Sequence, residues 1–123
     1  MQQHTRISVV DDDESVRESL PNLLAALGYA ATAFASAKAF LASGAACDAQ
    51  CLILDVAMPD CSGPELQSEL HRLRMNIPII FISGALDGSR RADLLARGAV
   101  ACLSKPFTED ELQSALSVAL ATP

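Results

Sequence analysis

The chain has 123 residues, a formal net charge of -6, an apolar half and few aromatics, the size of one domain with one proper core, which its Ala- and Leu-rich composition makes aliphatic. The acidity argues against direct nucleic-acid binding, which needs clustered Lys and Arg, and no apolar run approaches the roughly 20 residues that span a bilayer. Residues 1–6 are polar and lack a signal-peptide core, so the expected compartment is the cytosol. Cys47, Cys51, Cys61 and Cys102 form no C-x-x-C pair, and no His stands at zinc spacing from them. They read as reduced thiols packed as small apolar side chains.

Residues 7–10 are a short β-branched strand that runs abruptly into acid at Asp11. Over residues 15–27, Val16, Leu20, Leu23, Leu24 and Leu27 fall at helical spacing, and Gly28 is placed to stop that helix. Residues 29–34 read as a second strand, and residues 36–41 as a helix with Ser36 as its N-cap. Residues 43–50 are small and polar, hence loop, before a third strand at 51–54 that meets Asp55. Pro59, Asp60, Ser62 and Gly63 make residues 58–63 a turn, and Pro64 suits the first turn of a helix reaching about Arg74. A fourth strand at 77–82 ends at Ser83-Gly84, and a helix over 89–97 is closed by Gly98. A fifth strand at 100–103 precedes Ser104-Lys105-Pro106, and Thr108 with Glu111 forms a capping box for a last helix through about Leu120.

Strand and helix thus alternate five times, which implies a parallel sheet with helices on both faces. The uninterrupted apolar runs at 51–54 and 77–82 suit strands buried on both sides. In such a sheet all strand C-termini share one edge, and ligand sites form there, where the strand order reverses. Asp11, Asp12, Asp55, Ser83 and Lys105 all stand at strand ends and should converge on one cleft. In the flavodoxin-like order the reversal lies between strands one and three, which brings Asp11, Asp12 and Asp55 together.

Carboxylates that close repel one another, so pKa values rise or a cation neutralises them. An all-oxygen site suits a hard ion, Mg²⁺ or Mn²⁺, rather than zinc. Ser83 and Lys105 could then contact phosphoryl oxygens, with Asp55 as the nucleophile that forms an aspartyl phosphate. Singly, each feature has a plainer reading: a solvated helix N-terminus at 11–14, a turn at Asp55 or Ser83-Gly84, a surface lysine at Lys105. Their joint occurrence at successive strand ends favours a site.

In this order and spacing the residues resemble a response-regulator receiver domain over essentially the full length. Val9-Val10-Asp11-Asp12-Asp13 is similar to the family's acidic-pair motif, and residues 54–63 resemble its phosphoacceptor stretch, with Met58-Pro59 and Gly63 in place. Ile82-Ser83-Gly84 matches the switch position, and Lys105-Pro106-Phe107 the lysine segment. Val16-Arg17-Glu18-Ser19-Leu20 and Gly98-Ala99 look most like the FixJ/NarL group of transcriptional regulators. The resemblance implies a five-stranded parallel sheet of order 2-1-3-4-5 (flavodoxin-like, CheY-like) and one receiver domain over residues 1–123. That domain would stand alone or form the N-terminal part of a regulator with a DNA-binding domain. It implies Mg²⁺ (or Mn²⁺) held by Asp11, Asp12, Asp55 and the Ala57 carbonyl, with Asp55, Ser83 and Lys105 as the reactive set. It further implies a histidine kinase as phosphoryl donor, autocatalysed phosphorylation and slow dephosphorylation rather than turnover of other substrates, and a cytoplasmic setting without membrane or direct nucleic-acid contact. Output would come from a face made by the fourth helix, fifth strand and fifth helix, by way of a phosphorylation-induced homodimer that controls transcription.

Three departures stand out. Cys102 occupies the fifth-strand position where the family usually has Tyr or Phe, the switch hydroxyl is Ser83 rather than Thr, and Pro21 falls inside the first helix, where it should kink or loosen it. His4 and His71 are isolated, and Arg90, Arg91 and Arg97 read as a solvated face or the rim of a dimer contact, with Leu94 and Leu95 as its apolar centre or partly as core. A flavodoxin-like cofactor domain would need a Ser/Thr/Gly-rich loop where Asp11–Glu14 stands. A phosphorylation-independent module would be expected to lack Asp55, the acidic pair or Lys105, and a phosphatase of the haloacid dehalogenase type would need partner motifs and cap insertions that are missing here.

Overall fold

A computed structural model describes residues 5–59 and 61–121, so His4 and Asp60 lie outside the described residues. Among these, the chain alternates β1 (Arg6–Val10), α1 (Glu14–Ala26), β2 (Ala30–Phe34), α2 (Ala37–Ser43), β3 (Cys51–Asp55), α3 (Gly63–Arg72), β4 (Ile79–Ser83), α4 (Gly88–Ala96), β5 (Ala101–Ser104) and α5 (Glu109–Leu120). The strands form one sheet in the order β2-β1-β3-β4-β5, and every neighbouring pair is parallel. The expected doubly wound α/β architecture is present.

Successive residues of a strand face opposite sides, and the core divides accordingly. Val10, Leu52, Leu54, Phe81 and Cys102 pack with Phe40, Leu66, Leu70 and Leu94 from α2, α3 and α4. Ile7, Val9, Cys51, Ile53, Ile80, Ile82 and Leu103 pack with Leu20, Leu24, Leu112 and Leu116 from α1 and α5. Every residue of β3 and β4 is buried, which is why both runs are apolar without alternation.

Local chemistry sets the helix ends. Asp13, Ser36 and Asp87 cap α1, α2 and α4 by accepting from backbone N–H groups. Reciprocal capping boxes open α3 (Ser62 with Glu65) and α5 (Thr108 with Glu111). The α5 box matches the sequence expectation. Gly28 and Gly98 follow α1 and α4 with φ of 96° and 102°, the left-handed conformation that ends a helix cheaply only at glycine.

Several boundaries shift for physical reasons. β4 begins at Ile79, because Pro78 has no N–H for the ladder, though its carbonyl accepts from Leu52 N at 2.9 Å. It extends to Ser83, whose carbonyl accepts from Lys105 N at 2.8 Å. Ser83 and Asp55 therefore end their strands rather than follow them, and Lys105 comes directly after β5. The expected loop at 43–50 holds a short 3₁₀ turn, Ala45–Cys47. Pro21 does not break α1, which runs as one helix from Glu14 to Ala26.

Helix α4 is lightly anchored. Leu94 is its buried side chain, and Leu95 is 43% exposed. Arg90 and Arg97 both approach Asp93 on the same helix, while Arg91 reaches sideways to donate to the Cys102 carbonyl and to Ser104 Oγ on β5. Gln67, buried on α3, donates to the Arg97 carbonyl at 3.1 Å and so ties down the C-terminal end of α4.

Candidate functional site

The site grows out of the ends of β1, β3, β4 and β5. Asp11 is fully buried and held on several sides: its N–H donates to the Phe34 carbonyl at 3.1 Å, its Oδ1 accepts from Asp13 N at 2.9 Å, and its carbonyl accepts from Arg17 Nη1 at 3.1 Å. Asp55 is also buried, and its Oδ1 accepts a long hydrogen bond from Ala57 N at 3.4 Å. Asp12 is exposed beside them, and one carboxylate oxygen from each of Asp11, Asp12 and Asp55 lies within 4.8 Å of the others.

Lys105 enters from the far side. Its Nζ stands 2.8 Å from Asp11 Oδ2 and 3.6 Å from Asp55 Oδ1. Ser83 lies between: Ile82 pairs with Asp55, and Ser83 pairs with Ser104. Its hydroxyl accepts from Ala85 N at 3.1 Å, which orients the side chain at the strand end.

Electrostatics make the cleft unsettled as it stands. Burial first, then the neighbouring Asp11 charge, pushes the Asp55 carboxyl up to about 6, against the pull of Lys105 and the Ala57 N–H. Burial alone would lower the Lys105 ammonium, but its hydrogen bond and ion pair with Asp11, aided by Asp55 and Asp13, raise it overall. Three carboxyl groups share this cleft with one ammonium, which contacts Asp11 and Asp55, so acid outnumbers base there. Asp11 Oδ2 has the Lys105 ammonium, 2.8 Å away, as its close partner among the described residues. An all-oxygen donor set of three carboxylates, two of them buried, fits a hard divalent cation.

Gly63 explains how the turn after Asp55 closes. A Cβ there would lie 2.5 Å from the Asp55 carbonyl oxygen and 2.8 Å from the Phe81 ring, while Gly63 N donates to the Val56 carbonyl at 3.0 Å. Only a residue without a side chain lets α3 begin this close to the end of β3.

Residues 7–117 match the response regulator receiver domain model. The chain belongs to the response regulator receiver domain family. As a receiver domain it is 44% identical over 113 residues to Nodulation protein W of Bradyrhizobium diazoefficiens, covering 92% of this chain and 50% of that protein. It is 42% identical over 118 residues to the response regulator protein TmoT of Ectopseudomonas mendocina, covering 96% and 54%. Against the transcriptional regulatory protein FixJ of Azorhizobium caulinodans it is 38% identical over 114 residues, covering 93% and 54%. This receiver chain spans about half the length of the curated relatives it matches. The crystal structure of FixJ-N superimposes with a TM-score of 0.85 at 38% identity, over 100% of this chain and 98% of that one.

Sequence reasoning located Asp11, Asp12, Asp55, Ser83 and Lys105 at one edge, and all five stand there. The roles of Arg17, Gly63, Gln67 and Arg91 escaped it. Gly63, Gln67 and Arg91 act through contacts set by the packing of another element, and Arg17 through a side-chain bond back to a carbonyl six residues before it, which residue type alone does not signal.

Proposed function

We propose that this receiver domain accepts a phosphoryl group on Asp55 from the phosphohistidine of a histidine kinase. The Asp55 carboxylate attacks phosphorus, the phosphorus–nitrogen bond to the donor imidazole breaks, and an acyl phosphate forms on Asp55. The observation that carries this reading is the convergence of the Asp11, Asp12 and Asp55 oxygens within 4.8 Å of one another, with the Lys105 ammonium 3.6 Å from Asp55.

Asp11, Asp12, Asp55 and the Ala57 carbonyl would hold Mg²⁺, or Mn²⁺, which supplies charge neutralisation for the incoming phosphoryl oxygens. Lys105 serves as a point charge for one phosphoryl oxygen and Ser83 as a hydroxyl donor for another. The chain's contribution is positioning and electrostatics, which is how phosphoryl transfer is ordinarily catalysed. In the same way it catalyses its own phosphorylation and slow dephosphorylation.

Once the phosphoryl group is in place, Ser83 leaves Ala85 N and turns inward, and the α4-β5-α5 face changes shape. That face carries Arg90, Arg91 and exposed Leu95 on α4, and Glu109, Asp110, Glu111 and exposed Val118 on α5. These charges and apolar groups complement a second copy, so the switched form pairs through them. As the receiver part of a cytoplasmic transcriptional regulator, it leaves DNA contact to another domain and does not engage the membrane. A net charge of -6 supports that division of labour.

Intact mass after incubation with acetyl phosphate tests the reading. The wild type gains one phosphoryl group only with Mg²⁺ present, and Asp55→Asn gains none. A stable adduct of the same size on Asp55→Asn contradicts the assignment.

A further inference from the structure

Arg17 lies in the first turns of α1, where its N–H makes a helical bond to the Asp13 carbonyl at 3.1 Å. A helix N-terminus favours acids and disfavours cations, and the other charged residues there, Asp13 and Glu14, are acids. Helix stability therefore does not account for an arginine at this place. Its side chain runs back towards the helix start, as helical side chains do, and Nη1 donates to the Asp11 carbonyl at 3.1 Å. Three carboxylates stand nearby, yet no ion pair joins Arg17 to any of them among the described residues.

The two cations at this cleft therefore do different things. Lys105 sits on carboxylate oxygens, Asp11 Oδ2 and Asp55 Oδ1, that a metal would need. Arg17 grips the backbone of the same aspartate and leaves its side chain alone. The turn between β1 and α1 is short, and its geometry is set by few bonds: Asp11 N to Phe34 O, Asp13 N to Asp11 Oδ1, the Asp13 cap on Ser15 N, and the Arg17 clamp. The first two fix the start of the turn and one carboxylate oxygen. The Asp13 cap ties the end of the turn to the first residues of α1, and the Arg17 clamp ties the start of the turn, at Asp11, to the same helix.

We propose that Arg17 is a positioning residue for the carboxylate cluster: by clamping the Asp11 carbonyl it holds Asp11 Oδ2 and the Asp12 carboxylate towards Asp55 without occupying a carboxylate oxygen. This rests on the reading of the cluster as a Mg²⁺ site. Residues that orient metal ligands from one shell out change metal affinity by about 10- to 100-fold when removed.

The sign of the effect separates this role from simple charge. Deleting a cation beside an anionic site reduces repulsion and should tighten cation binding. Deleting a clamp should weaken it. Calorimetric Mg²⁺ titration of the wild type, Arg17→Gln and Arg17→Lys, with thermal melting of each metal-free protein, reads the difference. Arg17→Gln is expected to bind Mg²⁺ roughly 10-fold more weakly, and Arg17→Lys, which keeps the charge but loses the guanidinium fork, to fall between. Unchanged or tighter binding in a folded Arg17→Gln overturns the proposal. If that variant does not melt cooperatively, Arg17→Lys decides: weaker binding at an unchanged melting temperature supports the clamp, and wild-type affinity overturns it. A wild type that binds no Mg²⁺ overturns the metal-site reading itself, and the clamp with it.

Discussion

The carboxylate edge is assembled by contacts too specific for residue type alone to reveal. Asp55 is placed by β3, but the turn beyond it depends on Gly63, whose Cα lies against the Asp55 carbonyl and the Phe81 ring. Gly63→Ala should cost about 1–3 kcal/mol, the usual range for overpacking, because the atom opposing the new methyl is backbone and cannot swing aside. Chemical denaturation checks this, and stability within about 0.5 kcal/mol of wild type, the ordinary surface-substitution range, would count against the close-approach account. The motif Gly was visible in the sequence; the reason for it was not, since the clash involves two other strands. Cys102 shows the converse. Its place on β5 was legible, but only packing shows that the thiol is buried against α4 and that Arg91 reaches the Cys102 carbonyl.

Elements were legible where local chemistry dominates and blurred where neighbours decide. The five helices and five strands follow from periodicity and caps, and the Thr108–Glu111 box was read correctly from its spacing. The equivalent Ser62–Glu65 box has the same spacing, but Ser62 lies inside the turn at 58–63, where a serine suits the turn as well as a cap. The end of β4 moved because the Ser83 carbonyl accepts from Lys105 N just past β5, a long-range pairing. Helix α1 absorbs Pro21 without ending, though a proline in a helix interior is about 3 kcal/mol less favourable than alanine. Pro21→Ala should therefore stabilise the domain by roughly 1–3 kcal/mol. A higher denaturation midpoint at an unchanged denaturant slope is expected, and a lower midpoint would mean that the ring makes packing contacts worth more than the missing hydrogen bond.

At the scale of the molecule, two apolar layers cover one sheet, and thiols are part of the packing. Cys51 sits in the middle of the layer under α1 and α5, and burial pushes its thiol up to about 12 from an ordinary 9.0. The folded protein then keeps this proton while the unfolded chain loses it above about pH 9. Stability consequently falls as pH rises through that window, by up to ~1.4 kcal/mol per pH unit for a single thiol. Denaturation at pH 8 and pH 10 should show a smaller alkaline loss for Cys51→Ala than for the wild type, and equal losses would contradict the buried neutral thiol. The overall architecture was readable because alternating elements with fully apolar strands admit few arrangements. The site was readable because parallel strands bring their C-termini to one edge. What α4 presents, and how tightly it is held, was not, since Leu94 and Leu95 are indistinguishable until packing buries one and exposes the other.

The central claim is that Asp55, among four aspartates near one cleft, takes the phosphoryl group. Borohydride reduction of the acetyl-phosphate-treated protein, which converts an acyl phosphate to homoserine, followed by peptide mass mapping, tests it most directly. The account predicts homoserine at position 55 and only in the presence of Mg²⁺; conversion at Asp11, Asp12 or Asp13 instead would contradict it.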